Sequence, residues 1–302
     1  MKPSRALVSL SLLIAGLAFV AAAAGLFWQD AGSSFTFVSL RGQGVSIYGQ
    51  GLYRYDPVLT GAGFRGVDVV TLLVAVPLLV ASVLLYWRGS VKAGVLLTGT
   101  LGYFLYNYAS MALGAAYNEL FLVYIVLFSA SLFAFVLAFT SFDLPAVPSH
   151  FSPRLPRRAI AAYLFAVGAL LTTVWLGDIV GAIRSGRPPQ VLASNTTVVT
   201  YVLDLGVIAP VAFLAGVLLW RRAPLGYLLA STMLAVNLTI GTALMAQGGA
   251  ILLAGARMNA GEIAALIGSF AVLTLVGVWL TVVLLRNMSE SGGAADSLSA
   301  RA

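Results

Sequence analysis

The stretch Thr200 to Arg222, TYVLDLGVIAPVAFLAGVLLWRR, constrains this chain more than any other. It is almost wholly apolar, about as long as a bilayer core is thick, and closed by two arginines. A segment of that kind satisfies its backbone hydrogen bonds as a helix across hydrocarbon. Two residues break the apolar run, Asp204 and Pro210. An earlier segment, VVTLLVAVPLLVASVLLYWRG, has the same shape.

Hydropathy along the chain gives eight candidate spans: 6–28, 69–87, 91–113, 120–140, 159–177, 199–220, 225–246 and 263–285. Only 9% of residues are charged, and 60% are hydrophobic. Soluble domains carry about 25% charged residues, so the expected fold is an all-α polytopic integral membrane protein. The net charge of +7 does not form a nucleic-acid face, because the charges sit at the ends of apolar runs. With a cytoplasmic N-terminus, 11 basic residues fall on the inner side and six on the other. The positive-inside rule then places both termini in the cytoplasm. Arginine outnumbers lysine 15 to 2, which fits GC-rich coding and the inner membrane of a prokaryote. The first apolar run exceeds the ~7–15 residues of a signal-peptide core, so it is read as a retained span rather than a cleaved leader.

The expected organisation is a first four-helix unit over 1–140, a Pro-rich linker over 141–158, a second unit over 159–286 and a disordered tail over 287–302. The outer loop 29–68 carries short β-rich runs around glycines, and reads as a hairpin or small three-stranded meander. Pro77, Trp87 and Arg88 recur as Pro210, Trp220 and Arg221 at a constant offset of 133. That register points to an internal repeat of two parallel units.

Several chemistries are excluded. The chain has no cysteine, hence no disulfide, thiol nucleophile or thiolate metal site. His150 is the sole histidine, which rules out bis-histidine haem. Lys2 and Lys92 lie at span ends, so no lysine is placed for a retinal Schiff base. Neither a phosphate-loop lysine motif nor GxSxG occurs, and no cofactor is expected.

Asp204 is the leading site candidate, since an intramembrane carboxylate must face protein or water. Thr200 or Tyr201 shares its helix face. Tyr103, Tyr106 and Asn107 form a polar–aromatic face on the third span at similar depth. Gly94, Thr98 and Gly102 on that span read as a packing seam. Asp68, Glu119, Asp178 and Glu262 lie at outer span ends, where capping and solvation suffice for most. Asp178 and Glu119 are the exceptions kept as site candidates. The expected function is binding or transport of a small solute, ion or lipid in an outward-facing pocket around Asp204, with the first outer loop as a lid. The alternatives are an enzyme pairing Asp204 with Asp178 or Glu119 on a lipid-linked substrate, and a non-catalytic subunit of a membrane complex. Membrane lipids are the expected surroundings, and nucleic acid is not an expected partner.

Overall fold

The computed structural model describes residues 4–28, 30–255 and 268–290. Eight long helices run through it: α1 Arg5–Phe27, α2 Val58–Trp87, α3 Val91–Gly114, α4 Phe121–Thr140, α5 Arg157–Ser185, α6 Val199–Trp220, α7 Pro224–Leu253 and α8 Ser269–Arg286. Seven of them are long and apolar enough to cross a membrane. The exception is α3, and its position explains its polarity. Fifteen of its 24 residues are buried, so protein rather than lipid satisfies its tyrosines and threonines. Helices at the periphery expose large apolar side chains such as Phe19, Leu73, Leu122 and Leu275, as lipid contact requires. The chain is an all-α, multi-pass membrane protein.

Neighbours in sequence are neighbours in space. α1 packs on α2, α2 on α3 and α3 on α4; α5 packs on α6, α6 on α7 and α7 on α8. Across the middle, α3 packs on α7, while the first half of α2 also lies on α7. The α3–α7 crossing is close because Gly99 has no side chain; a Cβ there would collide with Ala235 and with the Ala235–Val236 backbone. Gly102 of the expected seam also faces Val236, and the Thr98 hydroxyl donates to the Gly94 carbonyl at 2.8 Å.

Two π-turns interrupt the helices. Thr71–Ala75 widens α2 just before Pro77, and Asp204–Ile208 widens α6 just before Pro210. In each, the N–H preceding the proline bonds five residues back: Val76 to Thr71 and Ala209 to Asp204. A helix-interior proline clashes with the carbonyl four residues earlier, and one extra residue in the turn makes room. Both helices also end alike. Gly89 and Arg222 adopt left-handed backbone, with φ of 89° and 61°. Ser90 N–H then bonds Leu85 O at 3.2 Å, and Ala223 N–H bonds Leu218 O at 2.9 Å, which is the six-to-one bond of a Schellman cap.

Two strands, β1 Phe35–Val38 and β2 Gly44–Ile47, form an antiparallel hairpin. The third strand allowed by the sequence is absent: Gly51–Tyr55 forms turns, and α2 begins at Val58. The loop is therefore shorter than 29–68, and Asp68 lies inside a helix, 3% exposed, rather than at a solvated end. At the opposite end, where α1 begins and α8 finishes, Asn287–Glu290 is ordered. Met288 bridges Phe151 and Ser289 N–H donates to His150 O at 2.8 Å. The Glu290 carboxylate accepts from Ser90 Oγ and Val91 N–H, both at 2.7 Å, and so caps α3. Of the expected tail, Asn287–Glu290 makes these contacts; its remainder, Arg257, Glu262 and the start of the expected last span lie outside the described residues.

Candidate functional site

Asp204 opens the π-turn of α6 and is buried. Both carboxylate oxygens are engaged. Tyr106 of α3 donates its hydroxyl to Oδ1 at 2.9 Å, and Trp175 of α5 donates its indole N–H to Oδ2 at 2.8 Å. One turn away, the Tyr201 hydroxyl donates to Oδ2 of Asp178. Trp175 and Tyr201 lie ring on ring at 4.9 Å. The pattern is reciprocal: an aromatic and an aspartate three residues apart on α5 meet an aromatic and an aspartate three residues apart on α6. Each aromatic holds the other helix's carboxylate. Spacing of three keeps both members on one helix face.

The structure thus brings together Asp204, Tyr201, Tyr106 and Asp178 and adds Trp175. Tyr103 belongs elsewhere; its hydroxyl pairs with Thr71 Oγ1 at 2.7 Å, at the first π-turn. Asn107 is buried and directs its amide toward Met111 Sδ at 4.0 Å along its own helix. Glu119 pairs with Arg54 at the surface, and this contact holds its carboxyl below the usual range. Thr200 is half-buried beside Tyr201. Among the described residues, no group of three or more His, Asp or Glu side chains is assembled for a metal ion.

A cavity of about 440 Å³ lies at the hairpin end of the molecule. Its walls come from both halves. Phe35, Phe37, Ile47 and Tyr55 line one side, the end of α3 from Leu113 to Ala116 forms the floor, and Ser194 to Thr197 closes the other side. Arg41 in the hairpin turn donates to the Asn195 carbonyl at 3.4 Å and ties the hairpin to that loop. None of the lining side chains is charged. Asp204 is not in the lining; Thr197 is its nearest approach in sequence. The cavity is therefore displaced from the expected pocket toward the surface.

A second polar group, missed in the sequence, lies below the hairpin in the first half. The Tyr53 hydroxyl donates to Asp68 Oδ2 at 2.7 Å. Asp56, 1% exposed, accepts from Ala116 N–H at 2.8 Å through Oδ1. Burial pushes the Asp56 carboxyl up to about 7. At the rim, the Gly51 N–H donates to Asp30 and holds that carboxyl below its ordinary value. The available signal was the run Tyr53-Arg-Tyr-Asp56 between two glycine-rich segments, which is unusually rich in phenol and charge for a loop cap.

Comparison with family models, curated proteins and solved structures finds no match to this chain.

Proposed function

We propose that the protein binds a small uncharged solute or lipid headgroup in the cavity at the hairpin end, between two related four-helix halves. The observation that carries this reading is the cavity itself. At about 440 Å³ it has the size of a small-molecule site. Its lining combines aromatic faces with the Ser194, Asn195, Thr196 and Thr197 polar groups and no ionic side chain. That chemistry suits a neutral ligand with an apolar face and several hydroxyls. The matching π-turns and helix caps, each pair 133 residues apart, support the repeat. With both termini in the cytoplasm, as the basic residues favour, the cavity opens to the outside. In this reading the Asp204 lattice is the rigid base of the site rather than its charged anchor.

Thermal unfolding of detergent-purified protein tests the proposal, with neutral mono- and disaccharides, zwitterionic amino acids and alkali cations as probes. A ligand that binds only folded protein raises the melting temperature with its concentration. A saturating rise with a neutral polyol, lost in Tyr55→Ala and Asn195→Ala, is the expected result. An unsaturating rise common to all variants is an excluded-solute effect and contradicts it. A specific observation favours the second reading, a non-catalytic subunit: both Asp204 oxygens are already bonded within the chain. That reading leads if no probe gives a saturating shift.

A further inference from the structure

Two carboxylates, Asp56 and Asp68, are buried in the first half beneath the hairpin, 1% and 3% exposed. Among the described residues, neither has a salt bridge. Arg54 is taken by Glu119 and the Gly51 carbonyl. Arg65 lies in the field of Asp68, but its donors go to the Tyr48 hydroxyl at 2.9 Å and the Leu26 carbonyl at 3.2 Å. Burying an unpaired carboxylate is costly enough that the group takes a proton or a counter-ion instead.

Space for the pair is built into α1. Gly25 faces Asp68, and a Cβ there would collide with Asp68 Oδ2 and the Tyr53 hydroxyl. Tyrosines fill the remaining volume. Tyr124 of α4 stacks on Tyr108 of α3 at 6.3 Å, and its hydroxyl sits beside Tyr53 and Asn118, in the field of both aspartates. Those two contacts are weak, and among the described residues Asp56 Oδ2, Asn118 Nδ2 and the Tyr124 hydroxyl all lack a hydrogen bond of ordinary geometry. Their residues are at most 5% exposed. Buried polar atoms are nearly always bonded, so three together mark a site.

The donor set identifies the ligand. Asn118 Oδ1 accepts from Leu120 N–H at 3.0 Å, which fixes the amide with its NH2 toward the cluster. An NH2 group repels a metal ion. One acceptor, one donor and one hydroxyl that is both suit a mobile proton. We infer that Asp56, Asn118 and Tyr124 form a proton-binding site at the hairpin end of the protein, beside the bonded Tyr53–Asp68 pair. The proton is held on the Asp56 carboxyl, and the Tyr124 hydroxyl and the Asn118 amide set how tightly. The other titratable groups nearby are Tyr48 and Tyr55 of the hairpin exit, Glu119 of the α3–α4 turn, and Tyr108 and Tyr103 of α3; among the described residues, none of these side chains donates to the Asp56 carboxylate. The proton site adjoins the neutral-ligand cavity through Ala116, whose N–H bonds Asp56 Oδ1 and which lines that cavity.

Infrared difference spectra of the full chain, taken between pH about 5 and about 8, test it through the carboxylic-acid C=O stretch. The expected result is a buried carboxylic-acid band that titrates in this window, is lost in Asp56→Asn and survives in Asp204→Asn. Tyr124→Phe keeps the ring and removes the hydroxyl; it shifts the Asp56 titration to higher pH and changes the Asp68 band less than Tyr53→Phe does. Persistence of the titrating band in Asp56→Asn overturns the assignment. So does an unmoved titration in Tyr124→Phe, which also decides the case should Asp56→Asn not fold. If exchanging sodium for choline at fixed pH displaces the band as protons do, the site takes a metal cation and the assignment of a proton is wrong.

Discussion

Trp175 and Asp204 are joined across α5 and α6 by an indole N–H that donates to Oδ2 at 2.8 Å. Asp204 is buried, so its carboxylate depends on partners within the protein. Removing one donor to a buried acceptor costs about 1–3 kcal/mol. Trp175→Phe is expected to lower stability by that amount, and Tyr106→Phe by a similar amount. Because they share one carboxylate, the double variant should depart from additivity. Urea or thermal unfolding in detergent reads all three; strict additivity would show that the two bonds act separately.

Asp56 gives a pH dependence with a definite sign. Burial pushes its carboxyl up to about 7, above the ordinary aspartate value of about 3.9. The folded state therefore holds the proton more tightly than the unfolded chain. Stability from this group is complete below about pH 4 and falls as pH rises to about 7, by a few kcal/mol at most. Asp56→Asn resembles the protonated form and is expected to flatten the melting temperature across this window. It should match or exceed the wild type at pH about 7. A variant with the same slope as the wild type would place the titrating group elsewhere.

Arg222 holds a left-handed backbone position that its counterpart, Gly89, occupies without strain. That conformation costs an L-residue roughly 1–2 kcal/mol, against roughly 0.5–1 kcal/mol for the extra freedom glycine has when unfolded. Arg222→Gly is expected to be neutral to stabilising by up to about 1 kcal/mol. Arg222→Val should lose stability instead. Paired unfolding curves decide the order.

Gly99→Val places two methyl groups where α3 meets the Ala235–Val236 backbone. Main chain cannot swing aside as a side chain does, so a loss toward the upper end of about 1–3 kcal/mol is expected. Limited proteolysis between the halves, at 141–158, should accelerate with it. Unchanged proteolysis and stability would mean the α3–α7 crossing tolerates separation.

Hydropathy located each helix because lipid contact demands it, and glycine-flanked β-branched residues located the hairpin. The start of α2 was hidden for a physical reason. Gly61, Gly63, Gly66, Arg65 and Asp68 lower the apolar average and look like loop, yet this segment lies against α1 and α7, where protein replaces lipid. The same misreading put Asp68 in solvent and left its tyrosine partners unnoticed. Asp204 stood out as a carboxylate in an apolar run. Its donors did not, because Trp175 reads as an ordinary interfacial tryptophan until α5 and α6 are docked. The cavity was invisible for a related reason: its walls come from three segments distant in sequence, and none is polar enough to announce it.

Glu290 caps a helix that begins 199 residues earlier. A ribosome finishes α3 long before it reaches that carboxylate, so the first half enters the membrane with the start of α3 lacking this partner. The capping site is filled only when the last helix is in place. Arrival of the last helix is thereby registered at the start of the most enclosed one, and a polypeptide ending at Arg286 would keep the Ser90 cap on Ala93 N–H but leave Val91 N–H without its carboxylate.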